Sequence, residues 1–105
     1  MNIAYSFFFP QHDDLKHYAR QLGIRHAVTN TEAIAGGLNP YTPEWSYAPL
    51  FQRKQDVNSF GMEFSVLEGV RFIDSAKLGL PDRDEAIARF CKLLENLSAL
   101  GVQTV

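Results

Sequence analysis

MEFSVL (Met62–Leu67), DRDEAIARFCKLLENLSALG (Asp82–Gly101) and VQTV (Val102–Val105) are the pieces of sequence that decide the architecture. In the first, Met62, Phe64 and Val66 alternate with Glu63 and Ser65, the two-residue period of a strand. In the second, Asp82 and Glu85 stand at capping-box spacing, and Ile87, Phe90, Cys91, Leu94 and Leu97 recur at helical intervals until Gly101 closes the run. The pattern predicts a third strand, then a helix whose Ile87, Phe90, Leu94 and Leu97 are buried against a sheet, then a fourth strand opened by VQTV. Cys91, on the same stripe, reads as a small buried hydrophobe. A strand–helix–strand unit of this kind makes a right-handed crossover and sets its two strands parallel.

Working back from this unit, the same alternation repeats. Asn2 to Phe9 is a run of apolar and aromatic residues stopped by Pro10, and reads as a buried first strand. Asp13 opens a helix to Leu22 whose Leu15, Tyr18, Ala19 and Leu22 share a face, and Gly23 supplies its left-handed stop. Ile24 to Thr29 is the second strand. Asn30 to Trp45, with Gly36, Gly37, Asn39, Pro40 and Pro43, has no period and reads as a long loop. From Ser46, Leu50, Val57 and Phe60 recur at helical intervals, with Pro49 in the first turn and Gly61 at the end. Glu68 to Pro81 reads as a second loop. The order is β-α-β-α-β-α-β, an α/β fold of parallel strands spaced by about thirty residues. It stops inside or just after the fourth strand, where a parallel sheet is normally covered or closed by further units, so the chain reads as truncated.

Length and composition agree with one domain. The 105 residues, 46% hydrophobic and 21% charged, suit a packed core and are too apolar for a disordered segment. With 10 Lys and Arg against 12 Asp and Glu there is no basic excess to neutralise a phosphate backbone, which argues against nucleic acid as a partner. A single cysteine excludes an internal disulfide and a Cys-rich zinc module and suits a reducing compartment. The apolar run at the N-terminus falls far short of the ~20 residues that span a bilayer, so a cytoplasmic location without membrane contact is expected. No Gly-rich phosphate loop, nucleophile elbow or HExxH helix is present.

LGIRHAVTN (22–30), the segment around Trp45, GMEFSVLEGV (61–70) and above all KLGLPDRDEAIARFCKLLENLSALGVQTV (77–105) resemble, in that order, the N-terminal part of mannonate dehydratase. Lys77 to Glu85 matches the family's Lys-Leu-Gly-Leu-Pro-x-Arg-Asp-Glu block. The resemblance implies a TIM barrel of the xylose-isomerase-like type, of which this chain would be a partial barrel of three and a half units, since eight take ~250 residues. It further implies a metal-dependent lyase of hexuronate breakdown, using Mn2+ or Fe2+, that removes water from D-mannonate to give 2-keto-3-deoxygluconate. The family's His, Cys and Asp ligands lie on later strands, so no metal ligand and no catalytic residue is assigned here, and the 105 residues alone are expected to be inactive. The complete protein is expected to be a homo-oligomer acting on a sugar acid. After the Glu-x-Val that Glu68 and Val70 match, the family carries a Pro and soon afterwards a His. Arg71 and Ile73 stand there instead, which keeps a sugar isomerase or epimerase of the same superfamily as an alternative. A small non-catalytic α/β binding domain is the second alternative.

In such barrels the chemistry sits at the C-terminal ends of the strands. Phe7, Phe8 and Phe9 end strand one and favour packing over sugar stacking. Glu68, ending strand three, is the foremost candidate, because a carboxylate receives polyol hydroxyls; a rim ion pair is the competing role. Asn30 follows strand two and can hydrogen-bond a hydroxyl or simply form a turn. Arg71 and Lys77, in the following loop, are candidates for the substrate carboxylate. His26 reads as a satisfied core histidine, and His12 and His17, five apart, share no helical face and form no metal pair.

Overall fold

β2 (His26–Asn30) is the middle of a three-stranded sheet, flanked by β1 (Ala4–Ser6) and β3 (Glu63–Glu68), and both neighbours run parallel to it. The computed structural model describes residues 2–6, 13–30, 45–70 and 73–105. The connecting helices are α1 (Asp13–Gln21), α2 (Tyr47–Ser59), the short α3 (Asp74–Leu78) and α4 (Arg83–Leu100). Spatial order follows chain order, so each right-handed crossover steps the same way and leaves its helix on the same face. One core results: Ala19 of α1, Leu50 and Val57 of α2 and Leu93, Leu97 and Leu100 of α4 pack with Ala27, Phe64 and Leu67 of the sheet. A singly wound parallel sheet with helices on one face is an arc of a (β/α)8 barrel, the partial TIM barrel expected from the sequence. The predicted fourth strand is present as a single parallel bridge between Val66 and Thr104, where the Leu67 N–H donates to the Thr104 carbonyl at 3.0 Å.

β3 departs from the simple alternation. Ala27 pairs with Phe64 but Val28 pairs with Val66, so Ser65 is one residue too many in the ladder. A bulge of one residue inverts the inside–outside order beyond it. Met62, Phe64 and Leu67 are therefore the buried residues, and Val66, expected among them, is only half-buried on the opposite face.

α4 is rotated from the face expected. Its buried residues are Ala86, Leu93, Asn96, Leu97 and Leu100, with Phe90 packed at the edge of the core. Ile87 and Leu94 are 48% and 40% exposed, and Cys91 is exposed as well. Two apolar stripes overlap on this helix. The one through Ala86, Phe90, Leu93, Leu97 and Leu100 runs its full length and takes the sheet. Gly101, at φ 78°, then turns the chain into the bridge strand.

Other corrections concern polar groups. Tyr18 on α1 and Leu22 just after it are exposed, whereas Lys16 is buried with its ammonium 3.8 Å from the centre of the Phe60 ring. The lysine stem covers apolar surface that leucine or tyrosine was expected to cover. The capping box does not form. Asp82 is the residue preceding α4 but makes no side-chain cap; its carboxylate accepts the Ser75 hydroxyl at 2.8 Å, tying α3 to α4, while Glu85 pairs with Arg89 at 3.6 Å. α3 itself lies in the stretch read as loop, a five-residue helix closed by Gly79 at φ 67°. Of the first strand, expected to be buried, Ala4 and Ser6 are exposed and only Tyr5 is half-buried, since β1 is an edge of the arc. Phe7 to Phe9, His12 and residues 31–44, most of the stretch that the sequence reads as a long loop, lie outside the described residues.

α2 starts after Ser46 with Pro49 buried in its first turn, as the sequence required. Its Lys54 ammonium donates to the Leu100 carbonyl at 2.6 Å, capping the C-terminus of α4. Lys54→Met keeps the stem and removes the charged donor, and is expected to cost about 1–2 kcal/mol in urea unfolding. A change below a few tenths would show that water replaces the lysine at no cost.

Candidate functional site at the strand ends

The bulge at Ser65 has a chemical consequence. Strict alternation from Met62 and Phe64 would turn Glu68 into the helix-side core. The extra residue puts Glu68 with Val66 on the concave face, where a barrel keeps its interior. There the Ser6 hydroxyl at the end of β1 donates to Glu68 Oε1 at 3.0 Å, reaching across β2. Side chains of alternate strands share layers inside such barrels, so β1 and β3 meet above β2 for a topological reason. Asn30, the last residue of β2, is the register partner of Glu68 and is buried. Thr29 and Ala27, of opposite parity, face the helices and are buried there. Gly69 turns the chain immediately after Glu68 at φ 73°, in the left-handed region that side chains avoid.

The structure thus brings two of the sequence candidates together, Asn30 and Glu68, and adds Ser6. Ser6 is not among the sequence candidates, because it lies in a run that reads as packing; the signal available is a small aliphatic hydroxyl directly before three phenylalanines. Lys77 lies on α3, exposed, with its ammonium 3.7 Å from Asp74. Arg71 lies outside the described residues.

A second polar group occupies the opposite, N-terminal end of the strands. His26 Nδ1 lies 2.8 Å from the Ser65 hydroxyl and 3.7 Å from Glu63, beside an open groove of about 430 Å³ that Ala4, Gln103 and Thr104 also line. His26 is half-buried and satisfied, close to the structural role expected of it. In barrels of this type the chemistry belongs to the other end of the strands, so this groove is not taken as the candidate site. Arg53, on the inner face of α2 with Leu50 and Val57, is buried; desolvation holds its guanidinium below the ordinary arginine range, and Asp56 acts in the opposite sense. Among the described residues no three His, Cys, Asp or Glu side chains cluster as a metal site, and no helix is long and apolar enough to cross a membrane.

At the C-terminal end of the strands, then, a carboxylate that accepts a hydroxyl, next in register to a buried amide, sets acceptors and a donor side by side, groups of the kind that meet a polyol.

Comparison with known proteins shows the fold and the family. A mannonate dehydratase from Thermotoga maritima is 28% identical over 107 aligned residues, covering 100% of this chain and 28% of that protein. One from Geobacillus thermodenitrificans is 31% identical over 80 residues, covering 74% of this chain and 22% of that protein. The crystal structure of mannonate dehydratase from Streptococcus suis serotype 2 superposes with a TM-score of 0.75 over 97% of this chain and 28% of that one, at 20% sequence identity, a likeness of fold. The chain spans between a fifth and a third of the length of these relatives. The family model of D-mannonate dehydratase (UxuA) matches residues 1–105, every residue of the sequence, and the chain belongs to that family.

Proposed function

We propose that this chain forms the first strand–helix units of a hydro-lyase that converts D-mannonate to 2-keto-3-deoxygluconate in the cytoplasmic breakdown of hexuronates. The single observation that carries the reading is the family match over residues 1–105. The Ser6–Glu68 pair beside Asn30 at the catalytic end of the arc supports it.

In this reading Glu68 accepts hydrogen bonds from substrate hydroxyls, Asn30 donates to or accepts from a neighbouring one, and Ser6 holds the carboxylate in place. Arg71 and Lys77 are retained as partners for the sugar-acid carboxylate. The described residues do not make up a metal site, because Glu68 is a lone carboxylate among neutral oxygen and amide groups. Mn2+ or Fe2+ would supply Lewis acidity to the departing hydroxide in the complete protein, held by residues other than these. The complete protein works as a homo-oligomer.

The test is an assay of 2-keto-3-deoxygluconate formation from D-mannonate by the complete protein and by these 105 residues alone, beside calorimetric titration of the latter with Mn2+ and Fe2+. Turnover by the complete protein is expected, with neither turnover nor one-to-one metal binding by the short chain. Absence of dehydration in the metal-loaded complete protein would overturn the reaction; stoichiometric metal binding by the short chain would overturn the division of the site.

A further inference from the structure

α4 meets the sheet on one side and α2 on another. Leu93, Leu97 and Leu100 stand in the core with the strands. Toward α2, the Asn96 amide donates to the Trp45 carbonyl at 2.6 Å, and the Arg89 guanidinium lies 5.5 Å from the centre of the Trp45 ring. The outward side carries Asp84, Lys92 and Glu95, the last two paired at 3.0 Å. That leaves a fourth side, and it is apolar. Ile87 and Leu94 each stand two residues before one of the α2 contacts, Arg89 and Asn96, which at 3.6 residues per turn is about 200° round the helix. They therefore face away from α2, and with Cys91 between them they form one exposed stripe at the spacing of a helical face.

α1 is the mirror case. Its Lys16 reaches the end of α2 at the Phe60 ring, and Tyr18, two residues on, is turned away and exposed. Leu22, exposed one turn later, borders an open groove beside β1 together with Ile3. α2 lies between the two, engaged by Lys16 through Phe60 and by α4 through Trp45 and Lys54. The unpartnered flanks thus belong to the two outer helices of the arc. The other large exposed apolar side chains fall elsewhere: Tyr47 stacks on Phe51 on α2, and Leu78 and Leu80 stand on α3 and in the turn after it. Neither pair lies on the flank of an outer helix.

We propose that the Ile87–Cys91–Leu94 flank of α4 seats the helix of the next strand–helix unit of the complete protein. Topology selects this occupant. β1, β2, β3 and the Thr104 bridge step in one direction, so the helix that follows the fourth strand falls on the side of α4 opposite α2. Most of the barrel lies outside these residues, since the chain covers 28% of a relative that it matches along its whole length. The seat is already shaped: Leu94, Leu97 and Val105 line an open groove of about 350 Å³ with Ser98, room for apolar side chains of a packed helix ridge. The occupant presents an uncharged face, because Ile87 and Leu94 offer a buried charge no partner. The two overlapping apolar stripes of α4 then have separate tasks, one against the sheet and one against a neighbouring helix. The proposal rests on the partial barrel and not on the reaction, so a complete protein without dehydratase activity leaves it standing.

Photo-cross-linking of the complete protein identifies the occupant. Benzoylphenylalanine is placed at position 94, and copies of ordinary and heavy-nitrogen protein are mixed before illumination. The cross-linked peptide is expected to come from the same copy and from the roughly 30–40 residues after Val105, the length of one barrel unit. A cross-link to a second copy or to a more distant segment overturns the proposal, and so does the absence of any cross-link. Thiol labelling checks the same face with a smaller probe. In a Cys91→Ser background of the complete protein, Ser98→Cys in the groove should alkylate at least about tenfold more slowly than Glu95→Cys on the outward side, and both should label alike in urea. Equal native rates would show the flank open to solvent and overturn the seat.

Discussion

Leu93→Ala lowers the unfolding free energy of the chain by about 2–5 kcal/mol, and Leu94→Ala lowers it by less than about 1 kcal/mol. The two leucines are neighbours in sequence with the same helix propensity, so the difference isolates burial. Leu93 is fully buried and packs with Leu50, Val57, Leu67 and Leu97 in the core that joins α2 and α4 to the sheet. Truncating it loses the transfer energy of the removed carbons and leaves a cavity that a close-packed interior fills only in part. Leu94, 40% exposed on the outer flank of α4, leaves no enclosed void when truncated, and alanine is the better helix former. Urea unfolding of the two variants at equal protein concentration measures both. Equal losses, or a larger loss at Leu94, would mean that α4 docks through the Ile87–Leu94 stripe after all.

If the complete protein carries out the proposed dehydration, Glu68→Gln is expected to lower its kcat/KM by about 10- to 100-fold, the range for losing the charge of a hydrogen-bonded carboxylate acceptor worth roughly 1.5–3 kcal/mol. The amide keeps the size of the side chain and can still accept the Ser6 hydroxyl, so the substitution removes charge while conserving packing. Because Glu68 is exposed at the end of β3, stability should change by no more than about 0.5 kcal/mol. The pairing of a large kinetic loss with an unchanged melting transition distinguishes a substrate contact from a rim ion pair. Wild-type kinetics would assign Glu68 to the rim and remove the Ser6–Glu68–Asn30 group from the site.

Much of the fold was legible because it depends on local chemistry. Gly23, Gly61 and Gly101 stop helices wherever they stand, Pro49 is tolerated in a first turn, and apolar runs of five or six residues spaced by helices fold as parallel strands. Those features determined the element order, the parallel sheet and the placing of Asn30 and Glu68 at strand ends, and the Lys77–Glu85 block carried the family resemblance. α3 escaped notice because a five-residue helix has too few turns to show a period.

Three matters were left to tertiary structure, each because two local solutions were nearly equal. α4 carries two apolar stripes one residue apart, and only the shape of the sheet and α2 selects Leu93 over Leu94 for the core. The buried face of α1 is completed by the stem of Lys16, whose charge periodicity counts against burial but which finds the Phe60 ring across the gap to α2. The bulge at Ser65 appears only when β3 is paired with β2, since an extra residue in one strand has no meaning until its partner's register is set. That pairing turns Glu68 from the core face to the concave face and brings Ser6, sixty-two residues away in the chain, within 3.0 Å of it. Sequence determined which residues stand at the strand ends; the register between strands decided which of them meet.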